Sequence, residues 1–373
     1  MKTNYHCFPA DTDSMSTIYC TISKPENVLK ITLPSPTMTN RTYSTILSGT
    51  ISGGPMNRNL TLEATRLTEL AALYASRHMG KGDDDLCYRA SDEAMWKLLE
   101  SLDIDGEIAI GASNKDLHLY DNRKVGSGEG MKVDIAVKPL EGKRTCAMGG
   151  HNSISVIAVG GRNAFMKMPP SLMHKIAVGP DAKGVVDINQ PPDINIKRVA
   201  RAKGKYIEDI TVCVLDRDVN YQMIDDIRKC GARIKFITDG DISGVISTAV
   251  ENTAIDIFMG IGGAKEAVIS AAGLKCLGGD MQAKIYYNDY FEKTVAENLG
   301  RGNADKIYKI KDLVKTDDIL ISITGVTDGV LLPGVQYFSG GAKTNSIVIR
   351  QQTHTIRFIN AIHQFDYKPI FDK

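Results

Sequence analysis

The chain has 373 residues, 43% of them hydrophobic and 24% charged, and its 45 basic and 44 acidic side chains leave a formal net charge of +1. This is the composition of a globular protein with a sizeable core, and so even a charge balance provides no electrostatic footprint for nucleic acid or an anionic membrane. Cysteines at positions 7, 20, 87, 146, 213, 230 and 276 are odd in number and form no Cys-x-x-Cys pair, which argues against a disulfide framework or a zinc site.

Residues 1–58 are rich in Ser, Thr, Asn and Pro, and within them only 28–33 reads as a strand, closed by Pro34 and Pro36. With Asp11 and Asp13 and no apolar stretch, the segment does not read as a signal or transit peptide, so a reducing, cytoplasmic setting is expected. An irregular extension is the expectation for 1–58: a flexible tail when the protein is alone, or an arm that orders against a protein assembly. Leu60, Ala64, Leu67, Ala71 and Tyr74 then recur at helical spacing between Asn59 and Gly80, and Ser91 is placed to cap a second helix whose apolar face is Met95, Leu98, Leu99 and Leu102. Short apolar runs at 108–110, 133–137 and 155–159 read as strands separated by glycine-rich turns. The Pro-rich piece at 190–193 marks an interior boundary, dividing an α+β domain over 59–200 from an α/β domain over 201–373. Beyond it, strands at 210–215, 233–238 and 255–259 alternate with helices at 221–229, 242–250 and 264–274, a rhythm that predicts a mostly parallel sheet. Late strands are expected at 319–323, 346–349 and 355–358.

Three segments have the composition of a ligand site. Gly260-Ile261-Gly262-Gly263 at the end of a strand offers backbone N–H groups to an anion, although the same spacing also serves a tight strand-to-helix turn. Asp239 and Asp241 flank Gly240 in another strand-end loop, where Asp241 equally suits a helix cap. The third is Val137-Lys138-Pro139-Leu140-Glu141-Gly142-Lys143, directly after an apolar strand.

Taken with Gly80-Lys81-Gly82-Asp83, Gly111, Gly179-Pro180, Gly262-Gly263-Ala264-Lys265-Glu266 and Gly279-Asp280-Met281-Gln282, these segments resemble the class II fructose-1,6-bisphosphatases from about Asn59 to His363. These include the glycerol-regulon enzymes and the cyanobacterial enzymes that also act on sedoheptulose bisphosphate. The resemblance implies the layered α/β fold of the lithium-sensitive sugar phosphatases, with Mg²⁺ or Mn²⁺ used to cleave a phosphate monoester, and self-association into dimers or tetramers. It also implies an Asp-Pro-Ile/Leu-Glu-Gly-Thr signature in which the acids bind metal and the Thr positions water. Here Lys138 replaces the Asp, Glu141 is kept and Lys143 replaces the Thr. Of the other expected metal ligands, one is replaced by Tyr88, one by Ala112, and one is kept as Glu266. On the sugar-phosphate side Asp239, Asp241, Gly262 and Gly263 match; the expected Lys-Pro-Arg is Arg217-Asp218-Val219, so one cation stays and one is lost, and Leu172 stands where a substrate-contacting Tyr is expected.

Hydrolysis of a phosphate monoester is among the slowest uncatalysed reactions, and a pair of hard cations held by carboxylates is how this chemistry is accelerated. With three of five ligand positions changed, the expectation is a pocket without metal or other cofactor, in which Lys138 and Lys143 pair with Glu141 and Glu266. The chain then reads as a non-catalytic structural or regulatory subunit, with a cytoskeletal or other multi-subunit scaffold as a fitting partner. Two alternatives stand beside it: a working Mg²⁺- or Mn²⁺-dependent fructose-1,6- or sedoheptulose-1,7-bisphosphatase, and a sugar-phosphate sensor.

Overall fold

The computed structural model describes residues 58–287 and 305–367, together with the backbone of 5–9, 17–22 and 28–32. The chain divides into two units, Met1–Pro55 and Met56–Lys373. In the first, the backbone of β1 (Tyr5–Pro9), β2 (Thr17–Ile22) and β3 (Val28–Thr32) forms an antiparallel sheet in that order. Three strands thus replace the single one expected; Thr17-Ile18-Tyr19-Cys20-Thr21-Ile22 is itself rich in β-branched and aromatic residues. The expected docking role of 1–58 lies outside the described residues.

The second unit opens with two helices, the second of them started by a side-chain cap. Helix α1 (Arg58–Ser76) already contains Asn59, which is therefore not its cap. Helix α2 (Asp84–Glu100) begins well before Ser91, because Asp83 takes the cap position and accepts a hydrogen bond from the Leu86 amide at 2.8 Å, with Asp84 and Asp85 in the favourable first turn. Ser91 lies inside the helix and donates to the Tyr88 carbonyl. Replacing Asp83 by Ala is expected to cost about 1 kcal/mol of stability, measurable by urea denaturation.

The larger sheet runs β15 (Gln336–Phe338), β16 (Gly341–Arg350), β14 (Ile319–Gly325), β7 (Ile154–Gly161), β6 (Met131–Glu141), β4 (Ile104–Ile110), β5 (Lys124–Val125), with β17 (Thr355–Gln364) also on β16. The smaller runs β10 (Arg233–Ile237), β9 (Thr211–Leu215), β11 (Ile257–Gly263), β8 (Leu172–Val178), β12 (Asp280–Tyr286), β13 (Tyr308–Lys309). Residues 59–200 and 201–373 do not separate into two sheets, since β14 to β17 complete the larger one and β8 lies in the middle of the smaller.

Three cores order these elements into five layers. Leu67, Met95 and Leu99 of α1 and α2 pack on Ile108, Val133, Ile135 and Val159, covering one face of the larger sheet. Its other face, with Val156, Ile321 and Ile347, meets α6 (Ile242–Ser247) and α7 (Ala264–Leu277), which in turn rest on Met173, Cys213 and Met281 of the smaller sheet. The outer face of that sheet is closed by Ile196 and Val199 of α4 (Pro192–Lys203) and Ile224 and Ile227 of α5 (Tyr221–Cys230). Helix α7 is buried nearly all round, as a helix between two sheets must be, and Gly273 allows Ile246 to approach where a methyl group would lie 2.7 Å from its Cδ1. The arrangement is the layered α/β fold of the sugar phosphatases.

The expected mostly parallel sheet needs correction. β9 pairs in parallel with β10 and β11, as crossover helices require, but β8 runs antiparallel to both β11 and β12. The strand-helix rhythm sets the common direction of β9 to β12 and carries no information about a strand inserted from upstream. The larger sheet is antiparallel except at β4–β6.

Candidate functional site

A cleft of about 550 Å³ is lined by α2, the loop after β4, the end of β6, the loops after β9 and β10, and the β11–α7 junction. Among its lining residues are Tyr88, Ala112, Lys138, Glu141, Lys143, Leu172, Arg217, Asp239, Asp241, Gly262, Gly263 and Glu266, so every site residue singled out in the sequence is brought to one place.

The strand β6 achieves part of this by breaking its own alternation. Residues 138 and 141 are three apart, and in a regular strand their side chains would face opposite ways. The β6–β7 register shifts between Lys138 and Glu141, around Pro139, a residue that lacks the N–H a ladder needs. With this bulge, both side chains line the cleft. Gly142 follows at φ 75°, a left-handed conformation that suits glycine, and α3 (Lys143–Ala147) starts immediately after it.

Lys138 Nζ donates to Glu266 Oε1 at 2.6 Å. Burial works against both charges, but each offsets it for the other: the Lys138 ammonium is held above its ordinary range and the Glu266 carboxyl is held down at about 2. This is the one pair of the expected pairings that forms. Lys143 instead reaches outward to Asp85 at 2.9 Å and Asp84 at 3.1 Å, at the half-exposed start of α2. Its position at the first residue of α3 turns it toward those acids; its hydrogen bond and charge lower the Asp85 carboxyl, and the bond to Asp85 in turn raises the Lys143 ammonium.

Glu141 has turned to a different task. Its Oε1 accepts from the Ile242 amide at 2.8 Å and its Oε2 from the Ser243 amide at 3.3 Å, so it caps α6 from a hundred residues away. Asp241, the expected cap, makes no such bond. Glu141 is 1% exposed, and burial, reinforced by the negative charge of Asp241, pushes its carboxyl up to about 8, so it is largely protonated at neutral pH. Asp241 is itself buried and bound to the ammonium of Lys175, which also donates to the Gly263 carbonyl at 3.0 Å. Burial raises the Asp241 carboxyl, against the pull of Lys175. Its Oδ1 is buried and has no partner among the described residues, an acceptor free for a ligand hydroxyl.

The glycine-rich piece is not a turn. Residues 260–263 are the end of β11, paired with Lys175, His174, Met173 and Leu172, and α7 starts at Ala264. A Cβ at Gly262 would run into Asp241 and one at Gly263 into Glu266, so the glycines make room for carboxylates. On the rim, Arg217 meets Asp239 at 3.1 Å. Tyr88 lines the wall, and burial pushes its phenol up to about 12 against the opposing charge of Lys138.

Two lysines were missed by sequence reading. Lys175 is fully buried in β8, and its signal was a lone charge inside an otherwise apolar strand. Lys265 donates to Asp121, to Ser113 Oγ at 2.8 Å and to the Gly111 carbonyl at 3.0 Å, while Asp121 accepts from the Gly111 amide at 2.9 Å. That network fixes the loop bearing Ala112.

These residues do not fit a divalent metal as arranged. Glu266 is engaged by Lys138, Glu141 holds two backbone amides and a proton, and Asp241 is engaged by Lys175. Among the described residues no three His, Cys, Asp or Glu side chains are grouped to hold a metal ion. Among them, too, no helix is long and apolar enough to cross a membrane.

Residues 58–363 match the family model described as bacterial fructose-1,6-bisphosphatase, glpX-encoded. Similar proteins include the class 2 fructose-1,6-bisphosphatase of Haemophilus influenzae, 39% identical over 326 residues that cover 83% of this chain and 98% of the relative. A class 2 D-fructose 1,6-bisphosphatase/sedoheptulose 1,7-bisphosphatase of Synechococcus sp. is 37% identical, covering 83% and 97%. Fructose-1,6-bisphosphatase 1 class 2 of Escherichia coli is also 37% identical, covering 84% and 97%. With the five-layered fold and a cleft that gathers the signature segments, the chain belongs to the class II fructose-1,6-bisphosphatase family.

Proposed function

We propose that this chain is a non-catalytic member of its family, a structural or regulatory subunit that keeps the sugar-phosphate cleft without metal-dependent turnover. The observation that carries this reading is the Lys138–Glu266 ion pair, 2.6 Å long, inside the cleft. The family resemblance assigns an aspartate and a glutamate to those two positions as metal ligands, and an ammonium at the first repels a cation while neutralising the second. The cytoplasmic setting, self-association and a docking role for residues 1–58 belong to the same proposal.

The relatives favour a second reading, and by their names they support it better than the first: a working Mg²⁺- or Mn²⁺-dependent phosphatase, acting on fructose 1,6-bisphosphate or sedoheptulose 1,7-bisphosphate. Identity of 37–39% along nearly the full length of those proteins is its support. For this reading Lys138 would have to swing away from Glu266 and Glu141 would have to lose its proton.

Phosphate release from both bisphosphates in the presence of Mn²⁺ separates the two. The expected result is release no faster than the protein-free blank. Turnover that disappears in Glu141→Gln would establish the phosphatase.

A further inference from the structure

We propose that Lys138 is a tethered cation that takes over the anion-holding part of a metal's role, so that phosphate esters bind in this cleft without any divalent ion. The proposal rests on the non-catalytic reading and deepens it. An ammonium has three N–H donors. One goes to Glu266, and no other partner of Lys138 is found among the described residues; the side chain is 32% exposed and lines the cleft. Two donors are thus left for an incoming oxyanion. Glu266 fixes the direction of the ammonium as a ligating carboxylate fixes a metal; the pair is net neutral, and what it offers an oxyanion is the two remaining N–H donors.

The rest of the cleft favours the same ligand chemistry. Arg217 is 41% exposed and spends a single N–H on Asp239, which leaves most of its fork to a phosphate. The Lys143 contacts to Asp84 and Asp85 are half-exposed surface pairs of the kind that contribute little and exchange readily for a dianion. Asp241 Oδ1 offers a buried acceptor to a hydroxyl. A phosphorylated polyol satisfies spare donors and spare acceptor together, and a volume of about 550 Å³ accommodates one.

The cleft also lacks a reason to take up a metal once Lys138 is present, because ammonium and divalent ion compete for Glu266. Binding of a phosphate ester is therefore indifferent to chelator in the native chain.

Calorimetric titration of the full chain with fructose 1,6-bisphosphate, in EDTA and then in Mn²⁺, tests this, with phosphate release followed in the same samples. The native chain is expected to bind in EDTA with an affinity that Mn²⁺ leaves unchanged. Lys138→Met should bind about tenfold or more weakly, the loss of one charge-assisted contact, in EDTA and in Mn²⁺ alike, because freeing Glu266 alone does not build a metal site. Lys138→Arg keeps the charge and should stay within about threefold of the native chain, which separates the loss of a cation from a loss of folding. No binding by the native chain in EDTA, binding that requires Mn²⁺, or unchanged binding by Lys138→Met would overturn the proposal. Release of phosphate by the native chain would instead overturn the non-catalytic reading, whichever way the binding data fall.

Discussion

Lys175→Met is expected to destabilise the protein by about 3–5 kcal/mol, the range for leaving one half of a buried ion pair uncompensated. The side chain is 0% exposed, its partner Asp241 is 2% exposed, and the bond to the Gly263 carbonyl ties the pair to the end of β11. Methionine has nearly the same volume, so the loss measures charge and hydrogen bonding rather than a cavity. In the variant, Asp241 would face Glu141 and Glu266 without its cation and would take up a proton at neutral pH. Lys175→Met combined with Asp241→Asn removes both charges and should recover more than half of the loss, because a buried pair replaced as a unit is far less costly than a pair broken. Urea denaturation at neutral pH gives both numbers. A loss below about 1 kcal/mol for the single variant would mean that water or another group already satisfies Asp241.

That lysine illustrates what the sequence made legible and what it did not. The two helices at the start of the second unit, the strand-helix rhythm through Met259 and the segments that line the cleft could all be read, because periodicity and glycine placement are local signals. The start of α2 was misread because three consecutive acids, Asp83 to Asp85, outweighed the cap signal at Ser91, and only the hydrogen bond to the Leu86 amide tells them apart. The position of β8 between β11 and β12 could not be read, since pairing partners are chosen across the chain. The pairings within the cleft divide in the same way. Lys138 with Glu266 follows from opposite charges at positions the family brings together. Lys143 with Asp84 and Asp85, and Glu141 with the amides of Ile242 and Ser243, depend on where a bulge and a positive-φ glycine aim each side chain. The acid that caps α6 lies in β6, and no sequence spacing announces such a contact.

Replacing that acid gives the second large effect, one that appears only as pH changes. The folded chain holds the Glu141 carboxyl at about 8 against an ordinary 4.5. Between those values the folded state keeps a proton that the unfolded state has released, so the Glu141 contribution to stability is complete below pH 4.5, declines across the window and is lost above about 8. At 1.36 kcal/mol per unit the window sets a ceiling of about 5 kcal/mol. Glu141→Gln is neutral at every pH and keeps a carbonyl oxygen for the Ile242 amide. It should lie within about 1 kcal/mol of the native chain at pH 5 and be the more stable of the two by a few kcal/mol at pH 9. Glu141→Ala, which abandons both amides, should be the weaker protein at pH 5 by about 2 kcal/mol. The measurement is the difference between native and variant denaturation free energies across pH 5 to 9, which cancels the other titrating groups. A flat difference would show Glu141 to be ionised throughout, and with it a carboxylate able to ligate a hard cation. A difference that opens through the window keeps Glu141 a neutral acid at physiological pH, with its oxygens committed to α6 and only Lys138 supplying positive charge at Glu266.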